Sequence, residues 1–127
     1  MFRMVVAMST ASFAEEVQNP GQTTIDPGRF AAALNIQLEE LARLARVHRA
    51  IVAEVPANTR LQNYLREATR VIAMGHQIVG NRDRALYWFR NVPIPEFGYQ
   101  TAEELVSHGK SEAALSYLTS VETGSSG

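Results

Sequence analysis

Between Leu61 and Val79 the apolar residues fall at steps of three and four: Leu61, Tyr64, Leu65, Ala68, Val71, Ile72, Gly75, Ile78 and Val79. That is the period of a helix; a strand would need steps of two. Thr59 stands where it can cap the start. Gly80 can end the helix in the left-handed conformation that a side chain disfavours. Gly75 lies on the apolar stripe itself, a position suited to close approach of a second helix.

The rest of the chain reads the same way. Asp26-Pro27 is an N-cap followed by proline at the first helical position, where its missing N–H costs nothing. The helix it opens carries Phe30, Ala31 and Leu34 and stops near Asn35. A second helix, about 37–46, has Leu38, Leu41, Ala42 and Ala45 on one face. Val47-His48 reads as a tight turn, and a third helix, about 49–55, ends at Pro56. Beyond Gly80, Asn81 caps a helix with Ala85, Leu86, Trp88 and Phe89. Val92-Pro93-Ile94-Pro95 breaks it, because each proline also restricts the residue before it. Thr101 and Glu104 form a capping box. Their helix holds Leu105 and Val106 and ends at Gly109. Ser111 caps a last helix with Ala114, Leu115, Leu118 and Val121. No long alternating apolar–polar run appears, so the expected fold class is all-α. Only residues 1–24, closing on Asn19-Pro20-Gly21, show no sustained period; they read as a flexible leader.

The composition removes whole classes of function. With 46% hydrophobic and 20% charged residues in 127, the chain is an ordinary globular mixture. It has no cysteine, which excludes a disulfide scaffold, a thiolate zinc site, an iron–sulfur cluster and a cysteine nucleophile. Its longest apolar run, Met4 to Met8, is far short of the ~20 residues of a membrane span. Arg3, that run and Ser12-Phe13-Ala14 have the outline of a signal peptide, but the apolar stretch is shorter than the usual ~7–15 residues. The expected location is therefore the cytoplasm, with no membrane partner.

Charge is unevenly placed. From Leu41 to Arg70 six arginines face two glutamates, a balance of +4. From Pro93 to Gly127 five glutamates face Lys110 alone, a balance of −4. A basic N-terminal half could meet phosphates and an acidic C-terminal half a basic protein; both could equally be solvated helix faces.

The window from Leu41 to Val55 has the spacing of a helix-turn-helix. Ala42 is small where two helices cross, Val47 plugs the turn five positions on, and Val52 and Val55 anchor the second helix. His48, Arg49, Ala50 and Ala53 would then face a DNA groove, with Arg43 and Arg46 reaching phosphates. Arg46 stands where such a turn favours glycine. The expected DNA-binding residues are Arg43, Arg46, His48 and Arg49.

The C-terminal part contains Tyr87-Trp88-Phe89, Pro93-Ile94-Pro95, Phe97-Gly98, Thr101, Glu104-Leu105-Val106, Gly109, Ala114, Leu118 and Gly124. That order resembles the toxin-binding domain of the Xre/MbcA/ParS-like antitoxins. In that family a tryptophan helix leads into a Pro-x-Pro loop, a Gly-Gly-x-Thr-Pro helix start, a leucine pair, a glycine and a final helix ending in glycine. Here Tyr99 replaces the second glycine and Ala102 the proline. Residues 81–127 are the counterpart of that domain, and 25–80 resemble the Xre-type helix-turn-helix domain preceding it.

The resemblance implies an antitoxin of a type II toxin–antitoxin system that neutralises a RES-domain toxin acting on NAD. Toxin contact would fall to the loop Phe97, Gly98 and Tyr99, to Tyr117 and Val121, and to the tail Glu122, Thr123, Gly124, Ser125, Ser126 and Gly127, which would block the NAD site. The expected partners are the cognate RES-domain toxin, a second copy in a homodimer or a heterotetramer with the toxin, and operator DNA for autoregulation. A stand-alone helix-turn-helix repressor, its C-terminal half serving only to dimerise, is the alternative.

An enzyme is not expected. His48, His76 and His108 stand apart from one another, and Gly109 interrupts the pairing of His108 with Glu112, so no metal-binding helix forms. Glu103 and Glu104 are adjacent and diverge on a helix. No phosphate-cradling glycine loop is present. The expectation is no catalytic residue, no metal and no cofactor. Of the rings at 87–89, helical spacing sends most into the core and leaves one for an interface.

Overall fold

The computed structural model describes residues 12–124. They form helices α1 (Phe13–Val17), α2 (Pro27–Leu34), α3 (Leu38–Ala45), α4 (Arg49–Glu54), α5 (Thr59–Val79), α6 (Arg82–Asn91), α7 (Ala102–Ser107) and α8 (Ser111–Glu122), with a 3-10 turn at Pro95–Phe97. Among the described residues no strand forms, only two isolated bridges, Gln18 with Ile25 and Ile94 with Gln100. The all-α expectation holds.

The long helix α5 is the axis. Helices α1, α3, α6, α7 and α8 all pack on it. Its stripe is buried from Leu61 through Leu65, Ala68, Val71 and Ile72 to Gly75. A boundary at residue 80 does not divide the core. Phe30, Leu41 and Leu65 on one side share a single apolar cluster with Phe89, Leu105 and Leu118 on the other.

Most helix ends follow the local signals. Asp26 accepts from the Gly28 N–H at 2.9 Å, Asn81 from the Arg84 N–H at 2.9 Å, and Thr101 and Glu104 close their capping box. Gly80 ends α5 at φ 76°. Two caps shift. Asn58, not Thr59, caps α5, its side chain accepting from the Leu61 N–H at 3.0 Å. Ser111 is the first residue of α8 rather than its cap, and its hydroxyl donates to Glu67 of α5 at 2.7 Å.

The flexible leader is corrected from Ser12 onward. Ser12 Oγ accepts from the Glu15 N–H at 3.2 Å, and Glu15 accepts from the Ser12 N–H at 3.3 Å. This capping box opens α1, and the i,i+4 pair Phe13 and Val17 is buried. The ring of Phe13 meets Phe30 edge-on, with centroids 6.2 Å apart. Buried Gln62 of α5 holds the next segment: it accepts from the Ile25 N–H at 3.0 Å and donates to the Ile25 carbonyl at 2.8 Å. Glu16 pairs with Arg82 of α6. Residues 1–11, with Met4–Met8, lie outside the described residues.

Candidate functional site

The basic half holds three of its six arginines, Arg43, Arg49 and Arg70, in ion pairs with glutamates of its own. Within α3, Arg43 donates to both Glu40 oxygens, at 3.0 and 2.6 Å. Arg49 pairs with Glu39 at 3.1 Å. His48 caps α4, its Nδ1 accepting from the Ala50 N–H at 3.1 Å, which leaves the neutral ring its proton on Nε2. Of the three arginines expected at DNA, Arg46 alone has no ion pair among the described residues; it is exposed and ends α3 at φ 62°. Ala42 and Val52 are buried and Val47 is half-buried, but Val55, expected as an anchor, is 47% exposed. The cause is geometric: α4 ends at Glu54, so Val55 leaves the helical face it would have shared with Val52.

The C-terminal half presents rings. On α6, Phe89 is fully buried, Trp88 half-buried and Tyr87 65% exposed. Consecutive helical residues stand ~100° apart, so one core-facing stripe cannot take all three. Tyr87 is the ring left over. Trp88 packs partly buried against the core, and its ring stacks on Tyr117 of α8, with centroids 6.4 Å apart and planes 7° from parallel. Trp88 also lies beside Gly75. A Cβ added there would meet the Trp88 ring at 3.7 Å and Ala85 Cβ at 3.8 Å, both ordinary contacts. Close approach therefore does not demand glycine. Gly75→Ala should stabilise the fold by about 0.5–1 kcal/mol in urea unfolding, since alanine is the better residue mid-helix.

The proline loop is folded back on itself. Ile94 is buried; its N–H donates to the Gln100 carbonyl at 2.9 Å, and its carbonyl accepts from the Tyr99 N–H at 3.0 Å. Phe97 is half-buried against the core. Gly98 and Tyr99 then take consecutive left-handed conformations, φ 67° and 64°. Tyr99 thus adopts a backbone conformation that favours glycine. Its ring is 69% exposed. A bulky residue in this conformation stores strain, a sign of a side chain retained for use.

Val121 and Glu122 are exposed at the end of α8, with Thr123 and Gly124 after them. Ser125, Ser126 and Gly127 lie outside the described residues. The structure brings Tyr117 to Trp88, a pairing that sequence reasoning missed. Apolar spacing on α8 puts Tyr117 one position before the core residue Leu118, and only the packing of α6 and α8 on α5 supplies its partner.

Between the halves lies a buried ion network. Glu103 of α7 is 5% exposed and accepts from Arg90 Nε at 2.8 Å; Arg90 also reaches Glu40 at 3.7 Å. Burial holds the Glu103 carboxyl above its usual range, and the Arg90 hydrogen bond pulls it back. The hydrogen bond from Arg43 holds Glu40 below its usual range. Among the described residues no group of three or more metal-ligating side chains gathers, and no helix is long and apolar enough to cross a membrane. Comparison with protein-family models and with curated proteins yields no match to the chain.

Proposed function

We propose that this chain is an antitoxin that binds a RES-domain toxin through its C-terminal half and blocks the toxin's NAD site with its terminal segment. The observation carrying this reading is Tyr99: an exposed tyrosine held in a strained left-handed turn. With Tyr87, the Trp88–Tyr117 stack and Val121, it gives a set of aromatic and apolar anchors within residues 81–127, the last stretch of which, from Pro93, is acidic. Buried aromatic anchors dominate interface energetics, while glutamates steer encounter with a basic partner. The small residues at 123–127 suit a narrow pocket, and ordering them costs roughly 1–2 kcal/mol each, so the anchors must supply the affinity.

The second reading, operator binding, draws support from the left-handed Arg46, the buried Ala42 and Val52 and the Val47 plug. The pairs Arg43–Glu40 and Arg49–Glu39 weigh against it, because two of the three arginines expected at phosphates or groove are already neutralised.

The test is co-expression with the product of the adjacent gene. A chain ending at residue 122 should still co-purify with the toxin but allow NAD turnover. Tyr99→Ala should weaken the complex by about 2 kcal/mol, some thirtyfold in Kd. Removing α8 altogether discriminates nothing, because Ala114 and Leu118 belong to the core. Full inhibition by the truncated chain at saturation would defeat tail occlusion. Absence of a toxin complex, together with tight and steeply salt-dependent DNA binding by the chain alone, would select the repressor.

A further inference from the structure

A cleft of about 220 Å³ opens where the end of α3 meets the start of α5 and the α7–α8 junction. Its wall includes Arg46, Arg60, Tyr64, Ser107 and Ser111. It lies outside the toxin-binding residues and does not depend on the antitoxin reading. Among the described residues four arginines have no ion-pair partner, Arg46, Arg60, Arg66 and Arg84, whereas Arg29, Arg43, Arg49, Arg70, Arg82 and Arg90 do; two of the four, Arg46 and Arg60, meet in this one wall. Glu67, the acidic residue in the same wall, is occupied: it binds Arg70 at 3.0 Å and the Ser111 hydroxyl at 2.7 Å.

Three further observations give the cleft an anionic bias. Arg46 sits at φ 62°, where glycine would relieve the backbone, so the guanidinium is held at a conformational cost. The twelve-residue α8 starts here, and Lys110 at its cap position makes no side-chain hydrogen bond to the first turn. The Ala113 N–H donates to the Lys110 carbonyl at 3.1 Å, and Ser111, the first residue of the helix, lines the cleft, which puts the positive end of the helix beside it. Tyr64, 7% exposed, has a hydroxyl with no hydrogen-bond partner among the described residues. Burial raises its pKa, so it remains a neutral donor.

We infer that this cleft binds the phosphoryl group of a small phosphorylated ligand, held by Arg46 and Arg60 at the start of α8. Two guanidiniums and backbone N–H groups match the oxygens of a phosphate, and the concave site is sized for a small ligand rather than a duplex.

The test is titration of the full chain with inorganic phosphate against chloride at matched ionic strength, following the amides of Gly109, Ser111 and Glu112 by NMR. Adenosine monophosphate and a duplex DNA of arbitrary sequence form separate arms. Phosphate and the mononucleotide should shift these amides saturably. Arg60→Gln should weaken binding at least tenfold. Arg46→Gly should do the same while raising the unfolding midpoint, which separates lost binding from lost folding. Arg84→Gln, an exposed arginine elsewhere, should bind like the parent chain. Equal phosphate affinity in parent, Arg46→Gly and Arg60→Gln overturns the site, as does a response no larger than that to chloride. If only the duplex moves these amides, the site belongs to a nucleic-acid backbone and the small-ligand assignment fails.

Discussion

Replacing Arg90 by alanine is expected to cost about 3–5 kcal/mol at neutral pH, the range for stranding one partner of a buried ion pair. Arg90 carries the hydrogen bond to Glu103 at 2.8 Å, and the Glu103 side chain is almost wholly removed from water. Without the guanidinium the carboxylate keeps its desolvation cost and loses its compensation. The pH dependence follows from the direction of the Glu103 shift. Its carboxyl is raised by burial, so the native state holds the proton more readily than the unfolded chain. The stability contributed by this group is present below the ordinary carboxylate pKa and lost as pH rises through the raised one. In Arg90→Ala the restraining influence is gone, so the deficit against the parent should be greatest near neutrality and shrink toward about pH 4. Glu40 runs the other way: held low by Arg43, it contributes stability that is lost as pH falls. Arg90→Ala with Glu103→Gln should recover much of the loss and flatten the Glu103 part of the pH profile. Urea midpoints across the acid range measure both effects. A pH-independent deficit in the single variant would mean that Arg90 acts through packing rather than through Glu103.

Phe13→Ala is expected to cost about 3 kcal/mol, the lower end of the range for a buried phenylalanine. The ring is fully enclosed and touches Phe30 edge-on, and Phe30 in turn meets Tyr64 edge-on with centroids 6.2 Å apart. The loss stays at the lower end because α1 is five residues long and can release as a unit. Hydrogen exchange separates the two routes. Loss of protection at α1 alone, with α5 unchanged, means local release; loss throughout means that the ring supports the whole core. A change below about 0.5 kcal/mol would place α1 outside the cooperative unit.

The placement of the aromatic residues was only partly legible. Tyr99 could be named because the loop pattern puts a glycine at its position, but its left-handed backbone emerges only when Ile94 is seen bonding to both Tyr99 and Gln100. The run Tyr87-Trp88-Phe89 dictates that one ring is left outside. Which one depends on the azimuth at which α6 meets α5, and that angle is a property of the packed pair. The α1 signal was present in the chain as Ser12-x-x-Glu15 over the pair Phe13 and Val17. One turn of helix is too short to show a period, so only its burial makes it recognisable.

What the sequence determined by itself is the set of helices and most of their ends. Asp26, Asn81, Thr101 with Glu104, and Gly80 act within about one turn of their own position, so residue identity and spacing suffice to specify them. The apolar stripe of α5 likewise needs no partner to be read. Local i,i+3 pairs such as Arg43 with Glu40 follow from spacing, but tertiary structure alone decided the pairs between distant residues. Arg82 finds Glu16 across 66 residues, Ser111 finds Glu67 across 44, and Glu103 finds Arg90 across 13. Many arginines and glutamates in the chain could have exchanged partners at little cost in water, where exposed pairs contribute roughly 0–1 kcal/mol. Packing of α3, α6 and α7 around the α5 axis removes that freedom, because it buries Glu103 where a single guanidinium can reach it. The same packing leaves Arg46 and Arg60 unpaired over one cleft.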